Sequence, residues 1–439
     1  MDEEDNMAKN GAVYKASGSL PKIISGIIII AAIVGGAMAF LTMHRSPTAR
    51  GTTGITTSAK SGNSLVPATT LAPTKKGGSR YRPKNSSTTS TASSGQKSTT
   101  STTGIISSKQ FSVITISPTP GATGIDPLTP IILTFSQPLS QNSATPTITP
   151  STAGTWKIQN NEAIFTPTIP FIPLSDVTVT AKNSLPPIMS TQGATLSSTF
   201  TSNFRIKTGS VLRIQELMSI LKYSPLAFRY SGPPLSNSDE AAQLAAFYNP
   251  PAGKFIWRQT TWPTELTQLW QAGTYDTMTK GLVMEFQADH GLLVNGRRTA
   301  GLFNDLLQAV LNHQINTGGY NYGLVNKTPP ENLTIWHNGH VVIKTPANTG
   351  IAADPTIDGT YPVFAKYRYQ VMHGTNPNGS HYSDPVQFVS YFNGGEAVHY
   401  MPRTDYGIPQ SLGCVELPLT EASQVWPWLA YGTLVTVIN

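Results

Sequence analysis

The chain contains one cysteine, Cys414, and a lone thiol can do only a few things. It cannot form an intrachain disulfide or a four-cysteine zinc site. It can fill a core position as a small hydrophobe, or it can attack an acyl group. Attack requires the thiolate, and so a nearby base or positive dipole. The surroundings favour attack. Ser411-Leu412-Gly413-Cys414 follows Tyr406-Gly407-Ile408-Pro409, a Gly/Pro-rich approach typical of an exposed loop rather than of a core helix or strand. Two histidines are candidate bases. His399 lies in the stretch Gly395–Tyr400 and precedes Cys414 by 15 positions, whereas His373, at the head of His373-Gly374-Thr375, lies much further upstream. His337 and His340 bracket Asn338-Gly339; with no carboxylate or third ligand beside them they are read as exposed turn residues. The sequence therefore calls for no metal and no cofactor.

These residues need a scaffold, and the segment 330–439 supplies a mainly β one. Leu333–Trp336 and Val341–Lys344 flank Asn338-Gly339, the dipeptide that best fits a two-residue hairpin turn with positive φ at both positions. Asp358-Gly359 offers a further turn, and Leu434–Ile438 a closing strand. An alternating segment beginning near Phe388 carries His399 at its end. Thr420 is placed to cap a short helix running through Val425 and Trp428.

The string FNGGEAVHYMPRTDYGIPQSLGCVELP resembles the active-site region of the L,D-transpeptidase (YkuD-type) family, and PTIDGTYPV resembles an upstream stretch of the same family. The resemblance implies a β-sandwich catalytic domain with a short helix, with Cys414 as nucleophile and His399 as general base and acid. It leaves His373 as a turn or lid residue. By the same likeness the carbonyl of Tyr400 orients the imidazole and Ser411 supports the loop, while backbone amides around Gly413 and Cys414 hold an oxyanion. The implied activity is crosslinking of peptidoglycan stem peptides through a Cys thioester, a donor tetrapeptide losing D-alanine and an acceptor amine taking the acyl group. Three departures accompany the likeness. Leu412 stands where most members have His, Glu416 where an Arg is common, and the interval from His399 to Ser411 is a few residues short. In the family the base is the upstream His, so activity is expected to survive the first; the second alters recognition of a substrate carboxylate. An L,D-carboxypeptidase of the same fold, in which water resolves the thioester, and an inactive wall-binding scaffold are the alternatives. A thiol protease of another fold has no motif of its own.

The rest of the chain reads as a multidomain protein. Its 439 residues exceed one ordinary core, and only 12% are charged, which disfavours long amphipathic helices. Residues 1–22 read as a cytoplasmic tail and 23–43, an apolar run free of charge, as a membrane-spanning helix, with cleavage by a signal peptidase at the small-x-small pattern Ala37-Met38-Ala39 as the alternative. Residues 44–110 form a Ser/Thr-rich spacer that cannot bury enough apolar area to order itself. Residues 111–209 alternate with period two and resemble bacterial immunoglobulin-like domains, which implies a β-sandwich. Residues 210–318 carry apolar helical stripes over Val211–Leu221, from near Thr277 through Phe286, and over Leu302–Val310. The string YDTMTKGLVMEFQADHGLLVNGRRTAGLFNDLL there resembles the peptidoglycan-binding-domain family, which implies a small α-helical wall-binding module; an ordinary three-helix spacer is the alternative. The expected location is a single-pass protein of a bacterial cell membrane with its catalytic domain on the wall side. The net charge of +7 suits anionic surroundings, but much of it lies in a spacer almost free of aromatic residues, so no nucleic-acid partner is expected.

Overall fold

The computed structural model describes residues 110–439. Its first module has seven strands: β1 (Val113–Ser117), β2 (Ile131–Phe135), β3 (Thr147–Thr149), β4 (Gly154–Gln159), β5 (Glu162–Pro167), β6 (Asp176–Ala181) and β7 (Phe200–Arg205). They form two antiparallel sheets, ordered β1-β2-β5-β4 and β3-β6-β7. Period-two patterning decides which side chains face inward. Ile131, Leu133 and Phe135 from one sheet meet Val177, Val179 and Ala181 from the other in one buried cluster. This is the expected sandwich.

The next segment holds α1 (Val211–Ile220), β8 (Leu226–Tyr230), α2 (Glu240–Ala246), β9 (Gly253–Trp257), α3 (Thr264–Thr267), α4 (Thr277–Asp289) and α5 (Ala300–Leu311). The three expected stripes are α1, α4 and α5. Asp276 caps α4 through the Thr279 amide and Thr299 caps α5 through the Leu302 amide, each accepting one of the first-turn N–H groups that lack a helical partner. The purely helical expectation is incomplete, because β8 and β9 form an antiparallel hairpin in which Phe228 packs on Phe255 at 5.0 Å. Each run is only five residues long, too short for periodicity to separate strand from helix. Helix α1 also hides what its apolar stripe did not announce. Arg213 and Glu216 form a fully buried ion pair at 2.6 Å, and Arg213 also donates to Gln243 of α2.

The last module comprises β10 (Asn321–Asn326), β11 (Asn332–His337), β12 (His340–Pro346), β13 (Gly359–Pro362), β14 (Ala365–Thr375), β15 (His381–Asn393), β16 (Glu396–Tyr400), β17 (Val415–Leu417), α6 (Leu419–Val425) and β18 (Leu434–Ile438). One sheet runs β12-β11-β10-β18-β13 and the other β14-β15-β16-β17. Val325, Leu333, Ile335, Val435 and Val437 of the first pack against Phe392, Val398, Val415 and Leu417 of the second. The β11–β12 hairpin turns on Asn338 and Gly339, both at positive φ (48° and 83°), as that dipeptide requires. Two expectations change. The sheet begins with β10, upstream of residue 330, at its centre between β11 and β18. Thr420 lies inside α6, whose N-cap is Pro418 with no side-chain hydrogen bond, so it does not cap that helix.

The helical segment does not keep a core to itself. One buried cluster runs from Ile214, Phe286 and Leu306 to Tyr320, Tyr322 and Leu434. Close approach at Gly281 of α4 makes this possible, since a Cβ there would lie 2.6 Å from the Gly432 carbonyl oxygen and 2.9 Å from Leu434 Cδ2. Among the described residues no helix is long and apolar enough to cross a membrane; the expected span 23–43, the tail before it and the spacer 44–109 lie outside them.

Alanine ordinarily stabilises a helix interior over glycine by about 1 kcal/mol, but overpacking costs about 1–3 kcal/mol. Gly281→Ala therefore lowers the melting temperature. Gly301→Ala, whose new Cβ meets nothing nearer than 3.6 Å, leaves it unchanged or raised. Thermal denaturation of the two variants checks this, and a Gly281→Ala chain that melts no earlier than wild type contradicts the packing account.

Candidate active site

Strands β16 and β17 are parallel neighbours, pairing Val398 with Val415, His399 with Glu416 and Tyr400 with Leu417. Parallel strands cannot be joined by a tight turn, so the chain leaves β16, crosses over through residues 401–414 and returns at the same end. That geometry accounts for the 15-position interval between His399 and Cys414, and it sets the thiol one residue before β17, beside the histidine strand. Alternation does the rest. Val398, Val415 and Leu417 face the other sheet, so the intervening side chains project to the opposite face.

On that face a cavity of about 410 Å³ is lined by alternate residues of three adjacent chain segments: Tyr382, Asp384 and Val386; His399, Met401 and Arg403; and Gln410, Leu412, Cys414 and Glu416. Met372 and Asn376 close it from the β14 side. Cys414 and His399 thus share one cavity.

His399 is 3% exposed. Its Nδ1 lies 2.9 Å from the Tyr400 carbonyl oxygen. A carbonyl can only accept, so Nδ1 carries the proton and Nε2 keeps its lone pair. Burial pushes the His399 pKa down, opposed by the Tyr400 hydrogen bond and the Glu416 charge. The ring is accordingly neutral and basic at neutral pH. Burial also pushes the Cys414 thiol up to about 12, helped by the carboxylates of Glu416, Glu396 and Asp354 and opposed by the Ala397 amide. The Cys414 Sγ contacts the Gly395 carbonyl at 3.8 Å. The two groups therefore rest as thiol and imidazole.

The loop carrying Cys414 is held by groups spread widely in sequence. The Ser411 hydroxyl donates to the Cys414 carbonyl at 2.5 Å, which ties off the turn. Gly413 between them has φ +96°, a region closed to side chains at modest cost. The buried Glu331 carboxylate accepts from the Thr349 amide and hydroxyl at 2.6 and 2.8 Å; the Thr349 carbonyl in turn accepts from the Gln410 and Ser411 amides. Asn348 reaches into the crossover, its side chain accepting from the Gly407 and Ile408 amides and donating to the Asp405 carbonyl. Arg403 makes a two-pronged ion pair with buried Glu416, both bonds 2.7 Å.

Each expected site residue has a place. Cys414 and His399 line the cavity, the Tyr400 carbonyl accepts from His399, and Ser411 and Gly413 belong to the turn that precedes Cys414. His373 sits on β14 opposite Ser383 and is exposed, so it is a strand residue rather than a turn residue, on the hairpin whose other residues line the cavity. His337 is half-buried and hydrogen-bonded to Asn321, which corrects its expected exposure. Leu412 lines the cavity where the family pattern has His. Sequence reading missed Arg403, Glu331, Asn348 and Asp384. For Arg403 a signal existed: an unexpected Glu at 416 requires a cationic partner if buried.

A thiol held up in this way titrates far above neutral. Alkylation of the native chain by iodoacetamide should accelerate about tenfold per pH unit from 6 to 9, following the thiolate fraction. A rate already on a plateau at neutral pH would reveal a preformed thiolate–imidazolium pair and contradict the account.

Residues 320–437 match the family model of the L,D-transpeptidase catalytic domain, YkuD, and residues 107–206 that of the bacterial Ig-like domain. No curated protein matches the chain. Among solved structures, an L,D-transpeptidase from Mycobacterium smegmatis is similar at 14% identity over 75% of this chain and 100% of that one, with a TM-score of 0.25. L,D-transpeptidase 1 from Mycobacterium tuberculosis is similar at 13% identity over 74% and 100%, with a TM-score of 0.24. The catalytic domain of the E. faecium L,D-transpeptidase is similar at 23% identity over 28% and 100%, with a TM-score of 0.26. The chain thus carries a YkuD L,D-transpeptidase catalytic domain at residues 320–437 behind a bacterial Ig-like domain at residues 107–206.

Proposed function

We propose that the protein is a peptidoglycan L,D-transpeptidase with Cys414 as nucleophile and His399 as its base. The observation that carries this reading is the shared cavity, in which a neutral imidazole with its Nδ1 proton committed to Tyr400 keeps Nε2 free beside the strand of the thiol. Nε2 takes the Cys414 proton as sulfur attacks the carbonyl between the third and fourth residues of a stem tetrapeptide. Amides of Gly413 and Cys414 stabilise the oxyanion. The carbon–nitrogen bond breaks, His399 returns the proton to the departing D-alanine amine, and a thioester remains. An acceptor amine from a second stem then attacks the thioester carbon. Its proton passes to His399, the carbon–sulfur bond breaks, and the thiolate regains a proton.

The remaining modules fit a wall substrate. The apolar run 23–43 would hold the chain at the membrane, the spacer would give it reach, and the helical segment 210–318, sharing its core with the catalytic domain, would bring wall polymer to the same body.

The test is mass spectrometry of products from the full-length chain incubated with disaccharide-tetrapeptide, alongside Cys414→Ala and His399→Ala. Crosslinked dimers that have lost one alanine are expected from wild type, with both variants at least about 1,000-fold slower, as for paired catalytic groups. Tripeptide alone would make the enzyme a carboxypeptidase. No conversion by a folded chain would leave a wall-binding scaffold.

A further inference from the structure

The charges facing the catalytic cavity do not balance. Its one cation among the lining residues, Arg403, is engaged through Nε and Nη2 by Glu416, so the pair presents little net charge. Asp384 of β15 also lines the cavity, is partly exposed, and makes no ion pair or side-chain hydrogen bond among the described residues. Its charge reaches both His399 and Arg403, favouring the cationic form of each. The cavity therefore carries one uncompensated negative charge, on the strand next to the histidine.

The order of strands gives that charge a direction. The sheet runs β14-β15-β16-β17, so Asp384, His399 and Cys414 stand on successive strand lines; Gln387 pairs with Tyr400 and Val398 with Val415, which sets Asp384 beyond the Tyr400 end of the histidine strand and Cys414 toward its Ala397 end. A group bound at Asp384 has the imidazole between it and the thiol. A cation is favoured there and a carboxylate is not. Of the two substrates in the reaction proposed above, the donor ends in a carboxylate, while the acceptor presents an amine that is an ammonium at neutral pH.

We infer that Asp384 is the specificity-determining residue for the acceptor, binding its side-chain ammonium and passing it to His399; this rests on the transpeptidase reading. Converting an ammonium into an amide releases two protons. The first goes to His399 Nε2 and on to solvent, freeing the amine to attack the thioester carbon; the second goes to the Cys414 thiolate as the carbon–sulfur bond breaks. The donor half-reaction needs no ammonium and should not depend on Asp384.

The experiment separates the two half-reactions in the full-length chain. Thioester formation on Cys414 from a disaccharide-tetrapeptide is followed by intact mass. Resolution of the thioester is compared for two acceptors, a disaccharide-peptide bearing a side-chain ammonium and hydroxylamine, which is uncharged at pH 7. Asp384→Asn is expected to form thioester within about twofold of wild type, to use the cationic acceptor about tenfold less well through a raised KM, as for loss of one partly exposed charge pair, and to use hydroxylamine as before. Asp384→Glu should recover part of the cationic preference. An Asp384→Asn chain that slows thioester formation and both acceptors alike, or keeps the wild-type preference, overturns the assignment while leaving the transpeptidase reading intact. A wild-type chain that forms no thioester overturns both.

Discussion

Three residue pairs between β16 and β17 carry the arrangement of the site. Because the pairing is parallel, the thiol and the imidazole cannot be brought together by a hairpin and must be reached through a crossover. The crossover in turn must be held, since its backbone groups cannot all be satisfied by a sheet. Asn348 satisfies it at residues 405–408, the Tyr406 hydroxyl closes on the Met401 carbonyl at 2.6 Å, and Arg403 returns to Glu416. Ser411 and Gly413 then shape the last turn. Much of the polar machinery in this half of the domain serves to make a parallel ladder of three pairs possible.

Burial has opposite consequences for structure and reactivity at this ladder. It packs Val398 and Val415 into the core between the sheets, and on the other face it buries His399 and half-buries Cys414 at the cavity wall. Desolvation disfavours charge on both, so the thiol rises, the imidazole falls, and neither ionises at rest. A neutral thiol is also slow to oxidise, which suits a cysteine without a resolving partner in the same chain. In the proposed reaction the proton transfer is completed as sulfur meets a carbonyl, and the Tyr400 carbonyl fixes the His399 tautomer beforehand.

What could be read from the residues alone was the chemistry with local signatures. A lone cysteine in a Gly/Pro-rich loop, a histidine at the end of an alternating run, and Asn338-Gly339 between apolar strands each announce themselves within a few positions; Asn338-Gly339 forms its hairpin turn, whereas the run from Phe388 to His399 is broken at residues 394–395 into β15 and β16. Capping by Thr420 failed because Pro418 already begins the helix, with the chain extended there. The long β14–β15 hairpin escaped because its exposed, mixed sequence has no clean alternation, although it brings Tyr382 and Asp384 to the cavity. Glu331 and Asn348 escaped for a different reason. Their partners lie 18 and 57 to 60 positions away, and a polar residue that will be buried looks the same in sequence as one that will face water. Glu416 looked like a loss; the fold brings Arg403 to it from the crossover, so a guanidinium still lines the cavity, with its charge offset.

The central claim is that Cys414 carries the acyl group, and the acid-quenched intact mass of the full-length chain mixed with disaccharide-tetrapeptide tests it most directly. The expected result is a mass gain equal to the substrate less one alanine, mapped by fragmentation to Cys414 and discharged by hydroxylamine. Release of D-alanine with the acyl group on any other residue, or with no covalent adduct at any time point, would contradict the account.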